Sequence, residues 1–282
     1  MTAGISLSID RTGVSLEFYQ RGSHMKYGRL KELFSFRETV WRMAVSQLKN
    51  KYSRSLLGVA WAVINPVLIM LAVNFVFVCV FKTGIKDFSM FILAGIYPWF
   101  FFSNAVSEAA FSVLNQKSVL RQFNLPTEII PLASVLGNFL NFLIGWIFIY
   151  PLFLWFRPQI ITLLPLLVVG FFVIFLFVFG AGLIASILNV YFRDIGQLLP
   201  VALMFWFWIT PVFYSVDMVP PTYRWICDIN PMTPMIAFYR GVLFEGRVLW
   251  NELYAAFFIA VIVLMAGWGL FLKLKSNILK KT

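Results

Sequence analysis

Charge is what this sequence has least of. Only 12% of its 282 residues are Asp, Glu, Lys or Arg, roughly half the 25% of an ordinary soluble domain. Histidine is rarer still. The single one, His24, lies in the string "GSHM", which resembles a cloning scar. Residues 1–24 are therefore expected to be an added or disordered extension and are set aside from the fold. With His24 discounted, catalysis and metal ligation by histidine are excluded. Two cysteines, Cys79 and Cys227, make no disulfide framework and read as free thiols. No Gly-x-x-x-x-Gly-Lys-Ser/Thr string cradles a nucleotide, and no Asp-x-Asp string offers a metal site. Carboxylates are few and scattered. The chain is not expected to be an enzyme, nor to hold a metal or cofactor of its own.

What it has in abundance is apolar surface. The composition is 61% hydrophobic and 18% aromatic, with a mean hydropathy of +0.84. That is an integral membrane protein before any motif is read. The net charge of +11 would suggest nucleic acid in a soluble chain. Here the cations crowd towards the two ends, so the positive-inside rule explains them and no nucleic acid partner is expected.

A spanning helix needs about 20 apolar residues. Six segments qualify or nearly do: Leu56 to Phe81, Phe88 to Leu114, Ile129 to Phe156, Leu163 to Val190, a short fifth from Leu198 to Tyr214, and Leu253 to Leu274. The expected fold is an all-α integral membrane protein with six transmembrane helices occupying residues 56–274. Residues 25–55 form a cytoplasmic segment before the first span, and residues 275–282 a basic cytoplasmic tail. Arg29, Lys31, Arg37, Arg42, Lys49, Lys51 and Arg54 precede the first span, and Lys273, Lys275, Lys280 and Lys281 close the chain. Both ends are therefore assigned to the cytoplasm. The proline-rich stretch between the fifth and sixth spans is too polar to cross the bilayer.

Within this frame a few polar or aromatic residues stand out. Phe36, Val40, Met43 (or Ala44), Gln47 and Leu48 recur at helical spacing, with Arg37, Glu38, Arg42 and Lys49 off that stripe. A basic amphipathic helix of this kind lies in the membrane interface. Phe36, Arg37, Trp41 and Arg42 are its interface residues, whether it is a simple anchor or a collar that also touches a partner. Glu108 is the clearest charge inside a span. It reads either as a gate carboxylate or as a snorkelling or paired group at the cytoplasmic mouth. Asn65 and Asn74 lie in the first span, where an amide facing lipid costs several kcal/mol. Phe205 to Trp208 puts aromatics on every face of the fifth span. Tyr97 and Trp99 fit an interfacial aromatic belt. Arg193 and Asp194 share a tight cytoplasmic turn, either as a topology marker or as a contact for a cytoplasmic partner.

Five strings then occur in order: "KYSRSLLGVAWAVINP", "GIYPWFFFSNAV", "NVYFRDI", "ITPVFY" and "INPMTP". Together they resemble the permease subunit of ABC type-2 polysaccharide exporters, the O-antigen, capsule and teichoic acid export permeases. The resemblance runs from about Phe36 to near the end. It implies a homodimer of half-transporters with two separate ATPase subunits that carry the ATP and Mg. The implied cargo is a lipid-linked polysaccharide, usually on undecaprenyl diphosphate, moved across a bacterial inner membrane. The stretch "LNQKSVLRQF" matches the family's coupling helix, which makes Asn115, Lys117, Arg121 and Gln122, with Arg193 and Asp194, the expected ATPase-coupling residues. Residues 219–244 match its short re-entrant helices. Asn65, Asn74, Phe205, Trp206, Trp208 and Tyr214 are the expected channel lining between the two copies. A wall teichoic acid or capsule permease is the nearest alternative. A drug or small-lipid exporter of this fold, and a stand-alone channel or secondary carrier, are more distant ones.

Overall fold

In the computed structural model, residues 34–53, 55–80, 86–122 and 125–275 are described. The expected extension over residues 1–24, most of the loop before Asp87, the tail beyond Lys275, and the side chains of Arg121 and Gln122 lie outside them. Glu38 onward forms one compact unit. No strand occurs among the described residues. The helices are α1 (Arg37–Tyr52), α2 (Trp61–Asn74), α3 (Phe88–Asn115), α4 (Lys117–Gln122), α5 (Ile129–Phe156), α6 (Leu164–Tyr191), α7 (Ile195–Ile209), α8 (Arg224–Asp228), α9 (Met232–Arg240) and α10 (Trp250–Leu274). Wider π turns extend α2 through Phe75–Val80 and α9 through Gly241–Glu245.

Five of these helices are long and apolar enough to cross a membrane, and they coincide with five of the six segments expected from the sequence. The fifth segment differs. Its helix, α7, has 15 residues, about 22 Å of rise against a hydrocarbon core of about 30 Å. It starts at Ile195 and stops at Ile209, so Tyr214 lies in the irregular chain beyond it. Thr210 ends the helix in an extended conformation, because Pro211 disfavours the helical region for the residue before it.

α3 is the central helix. Every residue from Met90 to Trp99 is buried, and α2, α5, α6 and α9 all pack on it. Tyr97 and Trp99, expected in an interfacial belt, are buried here instead. Tyr97 donates its hydroxyl to the Phe142 carbonyl at 2.9 Å, and its ring stacks on Phe142 and meets the edge of Trp146. Trp146 stacks in turn on Tyr239 of α9. The aromatic abundance therefore builds the core where α3, α5, α6 and α9 meet. Gly145 makes room for Tyr97: a Cβ there would overlap the phenol.

α6 and α10 approach backbone to backbone. A Cβ on Gly180 would meet the Leu264 main chain at 2.6 Å, and one on Gly267 would run into the Gly180 carbonyl. Small residues at such crossings replace the hydrophobic drive that lipid cannot supply. At one end of this pair, Lys275 donates to the buried carboxylate of Glu128, at the head of α5, at 2.5 Å. The Tyr191 hydroxyl donates to the Leu274 carbonyl at 2.9 Å.

Because the obstacle at Gly180 is main chain, Gly180→Ala should cost about 1–3 kcal/mol. It should lower the thermal midpoint of the detergent-solubilised protein. Gly269→Ala, with no atom within 4 Å of its added Cβ, should leave the midpoint unchanged. Equal midpoints for the two variants would show that the crossing is looser than described.

Candidate functional site

The outer-numbered half of α3 is enclosed, but its second half leaves one face open. Asn104, Glu108, Phe111 and Asn115 are exposed along it, flanked by the half-buried Ser103 and Ser107. The spacing of three and four residues puts them on one stripe. Asn104 lies about 16 Å along the axis from Asn115, well inside a helix about 42 Å long. Hydroxyl, amide and carboxylate groups at that depth cannot face lipid without losing hydrogen bonds worth several kcal/mol. Ser103 reaches the Phe100 carbonyl at 3.4 Å and Glu108 has protein partners, so it is Asn104, Ser107 and Asn115 that call for water, a partner surface or a polar ligand.

Glu108 is the anchor of a network at one end of the stripe. Lys51 of α1 donates to Glu108 Oε1 at 2.8 Å and to Asn138 Oδ1 at 3.2 Å. Asn138 of α5 donates back to Glu108 Oε2 at 2.6 Å and to the Ser134 carbonyl at 3.1 Å. Next along, Tyr52 donates to Asn141 at 2.5 Å. Burial raises the Tyr52 phenol above its ordinary range, against the lowering effect of the Asn141 bond, so it stays a donor. α1 reaches this position because Gly137 lets it come close: a Cβ there would meet the Ala44 carbonyl at 3.1 Å. The residues of α1 that dock are Val40, Ala44, Lys51 and Tyr52, while Trp41 is 51% exposed. α1 is thus fastened to the bundle by a small-residue contact and a charge network. Glu108 is thus paired with Lys51 and Asn138.

A second constellation closes the chain after α7. Arg240, at the end of α9, is buried, and among the described residues no carboxylate forms an ion pair with it. Nη1 donates to the carbonyls of Pro211 at 2.6 Å and Tyr214 at 3.2 Å. Nη2 donates to Val212 O, and Nε to Phe91 O at 3.4 Å. The guanidinium also lies 3.6 Å from the centre of the Phe91 ring. A planar fork suits four converging carbonyls as a point charge does not. Asn230 adds the next clamp. It accepts from Trp206 Nε1 at 2.9 Å and from the Met232 amide at 3.0 Å, and donates to Thr210 Oγ1 at 2.9 Å. Thr210 in turn donates to the Trp206 carbonyl at 2.7 Å. The strings "ITPVFY" and "INPMTP" are thus two halves of one hydrogen-bonded junction.

The sequence-expected residues fall as follows. Asn65 is exposed and Asn74 half-buried on α2. Phe205 and Trp208 are exposed on α7. Trp206 turns instead into its own bundle, against Trp99 and Phe102, because its indole N–H is committed to Asn230. Tyr214 is half-buried, with its hydroxyl on the Ile209 carbonyl at 2.9 Å. Arg193 and Asp194 are exposed, and neither forms an ion pair among the described residues. Asp194 instead opens α7, where a carboxylate favours the helix dipole. Asn115 and Lys117 flank the start of α4. Arg42 pairs with Glu38 at 2.6 Å, and Phe36 is half-buried. The sequence reading missed Lys51, Asn138, Asn230 and Arg240. Only Arg240 carried a signal: a lone cation within "MIAFYRGVLF", whose neighbours are nearly all apolar.

The family described as ABC-2 type transporter matches residues 38–244. The chain is 30% identical over 236 residues to an O-antigen export system permease protein RfbA of Klebsiella pneumoniae, covering 81% of this chain and 88% of that one. It is 27% identical over 253 residues to the RfbA protein of the same description from Myxococcus xanthus, covering 86% and 94%. It is 21% identical over 217 residues to a polysialic acid transport protein KpsM of Escherichia coli, covering 74% and 83%.

Two tests address the geometry. Arg240→Met strands several buried carbonyls and should cost about 3 kcal/mol or more. Arg240→Lys should fall between that variant and the parent, and Arg193→Gln at an exposed site should stay within about 0.5 kcal/mol. Thermal melts in detergent read all three. The Lys51–Glu108 pair has side chains 34% and 45% exposed, so a double-mutant cycle of Lys51→Met and Glu108→Gln should give a coupling of about 0.5–1 kcal/mol. Strict additivity would mean that the network does not hold α1.

Proposed function

The chain belongs to the ABC-2 type transporter family, and from that premise we propose that it is the membrane half of an ATP-driven polysaccharide exporter. Two copies pair around a path, and two separate ATPase subunits bind at the cytoplasmic side. The cargo is a lipid-linked glycan, O-antigen-like and carried on undecaprenyl diphosphate, moved across a bacterial inner membrane. In this reading α7 is the fifth of six spanning elements, both chain ends are cytoplasmic, and the short helices between α7 and α10 sit at the outer side.

One observation carries the proposal: the open stripe of Ser103, Asn104, Ser107 and Glu108 on a helix otherwise enclosed. It supports a wet path rather than a lipid contact. α2 and α7 leave their own apolar faces uncovered, Leu68, Leu71 and Phe75 on one, Val201, Phe205 and Trp208 on the other. Those faces suit a second copy and a path of flat apolar rings. Hydrolysis on a partner requires cytoplasmic levers. α4 with Lys117, and the exposed Arg193–Asp194 turn, are the candidates. A capsule glycan is the second reading, favoured by the similarity to a polysialic acid transport protein at lower identity.

Affinity purification from the native membrane should bring down an ATPase subunit in equal amount, and deletion of the gene should leave glycan on the inner leaflet. Ion flux without ATP, and no ATPase, would replace the exporter by a channel. Path and lipid face are separable by thiol labelling after Cys79→Ser, since Cys79 is exposed and Cys227 buried. Asn104→Cys should react with a small hydrophilic reagent, whereas Phe258→Cys, on the exposed side of α10, should not. Labelling of Phe258→Cys alone would move the path to α10.

A further inference from the structure

We propose that the path served by the open face of α3 admits a sugar chain without charge, so that the repeating unit of the cargo is neutral. The proposal rests on the exporter reading above and deepens it. No lysine or arginine occurs within α2, α3, α5, α6 or α7. The one cation of α10, Lys273, lies in its last turn. Among the described residues, Lys275 and Arg157 at helix ends are paired with Glu128 and Asp87, and Lys51 and Arg240 are spoken for as well. Lys51 is held by Glu108 and Asn138. Arg240 is 7% exposed, and its Nε, Nη1 and Nη2 are all taken by main-chain carbonyls.

A chain bearing a carboxylate on every repeat would enter this region with no compensating charge. Between apolar helices the dielectric is low, and an unpaired charge there is costly. The one carboxylate of the stripe, Glu108, is already paired with Lys51, so the stripe holds no free cation for an acidic repeat. A neutral chain meets no such barrier. Its hydroxyls both donate and accept, and Ser103, Asn104 and Ser107 do the same. The exposed rings of Phe205 and Trp208 give its apolar C–H faces a surface to lie on. Cations at the chain ends and at Lys117 and Arg193 can neutralise an anionic lipid anchor. The sugar chain behind that anchor finds none of them along the helices.

The test uses inverted membrane vesicles that contain the chain with its ATPase subunit. Two probes of equal length are compared, each on undecaprenyl diphosphate: a neutral hexose polymer, and the same polymer with one hexuronic acid per repeat. ATP-dependent protection from an added glycosidase reads arrival in the lumen. The neutral probe should be protected at least about tenfold faster, since an unpaired charge between apolar helices is costly. Asn104→Lys, which puts a cation on the stripe, should narrow the gap by speeding the acidic probe. Equal rates for the two probes, or a faster acidic one, would overturn the neutral-cargo proposal and leave the exporter reading standing. Protection of neither probe would remove the exporter reading and this proposal with it. The ratio in the unaltered protein decides the matter even if the Asn104 variant fails to assemble.

Discussion

Between Ile209 and Ser215 the chain leaves its helix without leaving the bundle. From Thr210 to Phe213 the chain is buried, and no strand among the described residues can pair with its freed carbonyls. Arg240 answers three of them at once and takes the Phe91 carbonyl besides. This is the constraint on which the other features hang: irregular backbone in apolar surroundings is tolerated only where protein satisfies it. Once the junction is closed, α7 can be short, α9 can pack beneath it, and Trp206 must turn inwards to reach Asn230. The remaining rings of α7, Phe205 and Trp208, are left on the outside.

α3 divides its labour along its length. Its first half is enclosed, and Tyr97 and Trp99 build the aromatic core there. Its second half keeps one polar face open, and that face is fixed by neighbours rather than by α3 itself. Asn138 comes from α5 and Lys51 from α1, and α1 reaches its place because Gly137 has no side chain. The position of an amphipathic helix is thereby linked to the mouth of the polar stripe. A shift of α1 would expose or cover Glu108, so the same contacts that stabilise the bundle also set the charge seen at that mouth.

The long apolar runs made five helices legible, with bounds close to those observed, because hydropathy and length suffice for them. Which face of each helix is buried was not legible. In α6, nearly every side chain is apolar, so periodicity carries no contrast between core and lipid. Tyr97 and Trp99 were assigned to an interface for the same reason: amphipathic rings satisfy themselves either way. Glu108 stood out as a charge in a span, but its partner Lys51 lies 57 residues earlier, among cations that the positive-inside rule already explained. Arg240 lay in the stretch matched to re-entrant helices, but nothing local named the carbonyls of Pro211, Val212 and Tyr214 as its partners. Asn230 and Thr210 were visible only as parts of two strings, and nothing local says that one clamps the other.

The contact between Lys275 and Glu128 also imposes an order in time. The carboxylate belongs to the head of α5 and is almost completely shielded, yet its counter-ion is made 147 residues later. At a synthesis rate of roughly 5–20 residues per second, the carboxylate waits about 7–30 s for it. During that interval α5 sits in the bilayer with an uncompensated acid at its end. The contact between α5 and Lys275 cannot form until that residue has been made. α10 therefore supplies more than packing: without Lys275, burial at the head of α5 leaves the Glu128 carboxylate as an unpaired charge.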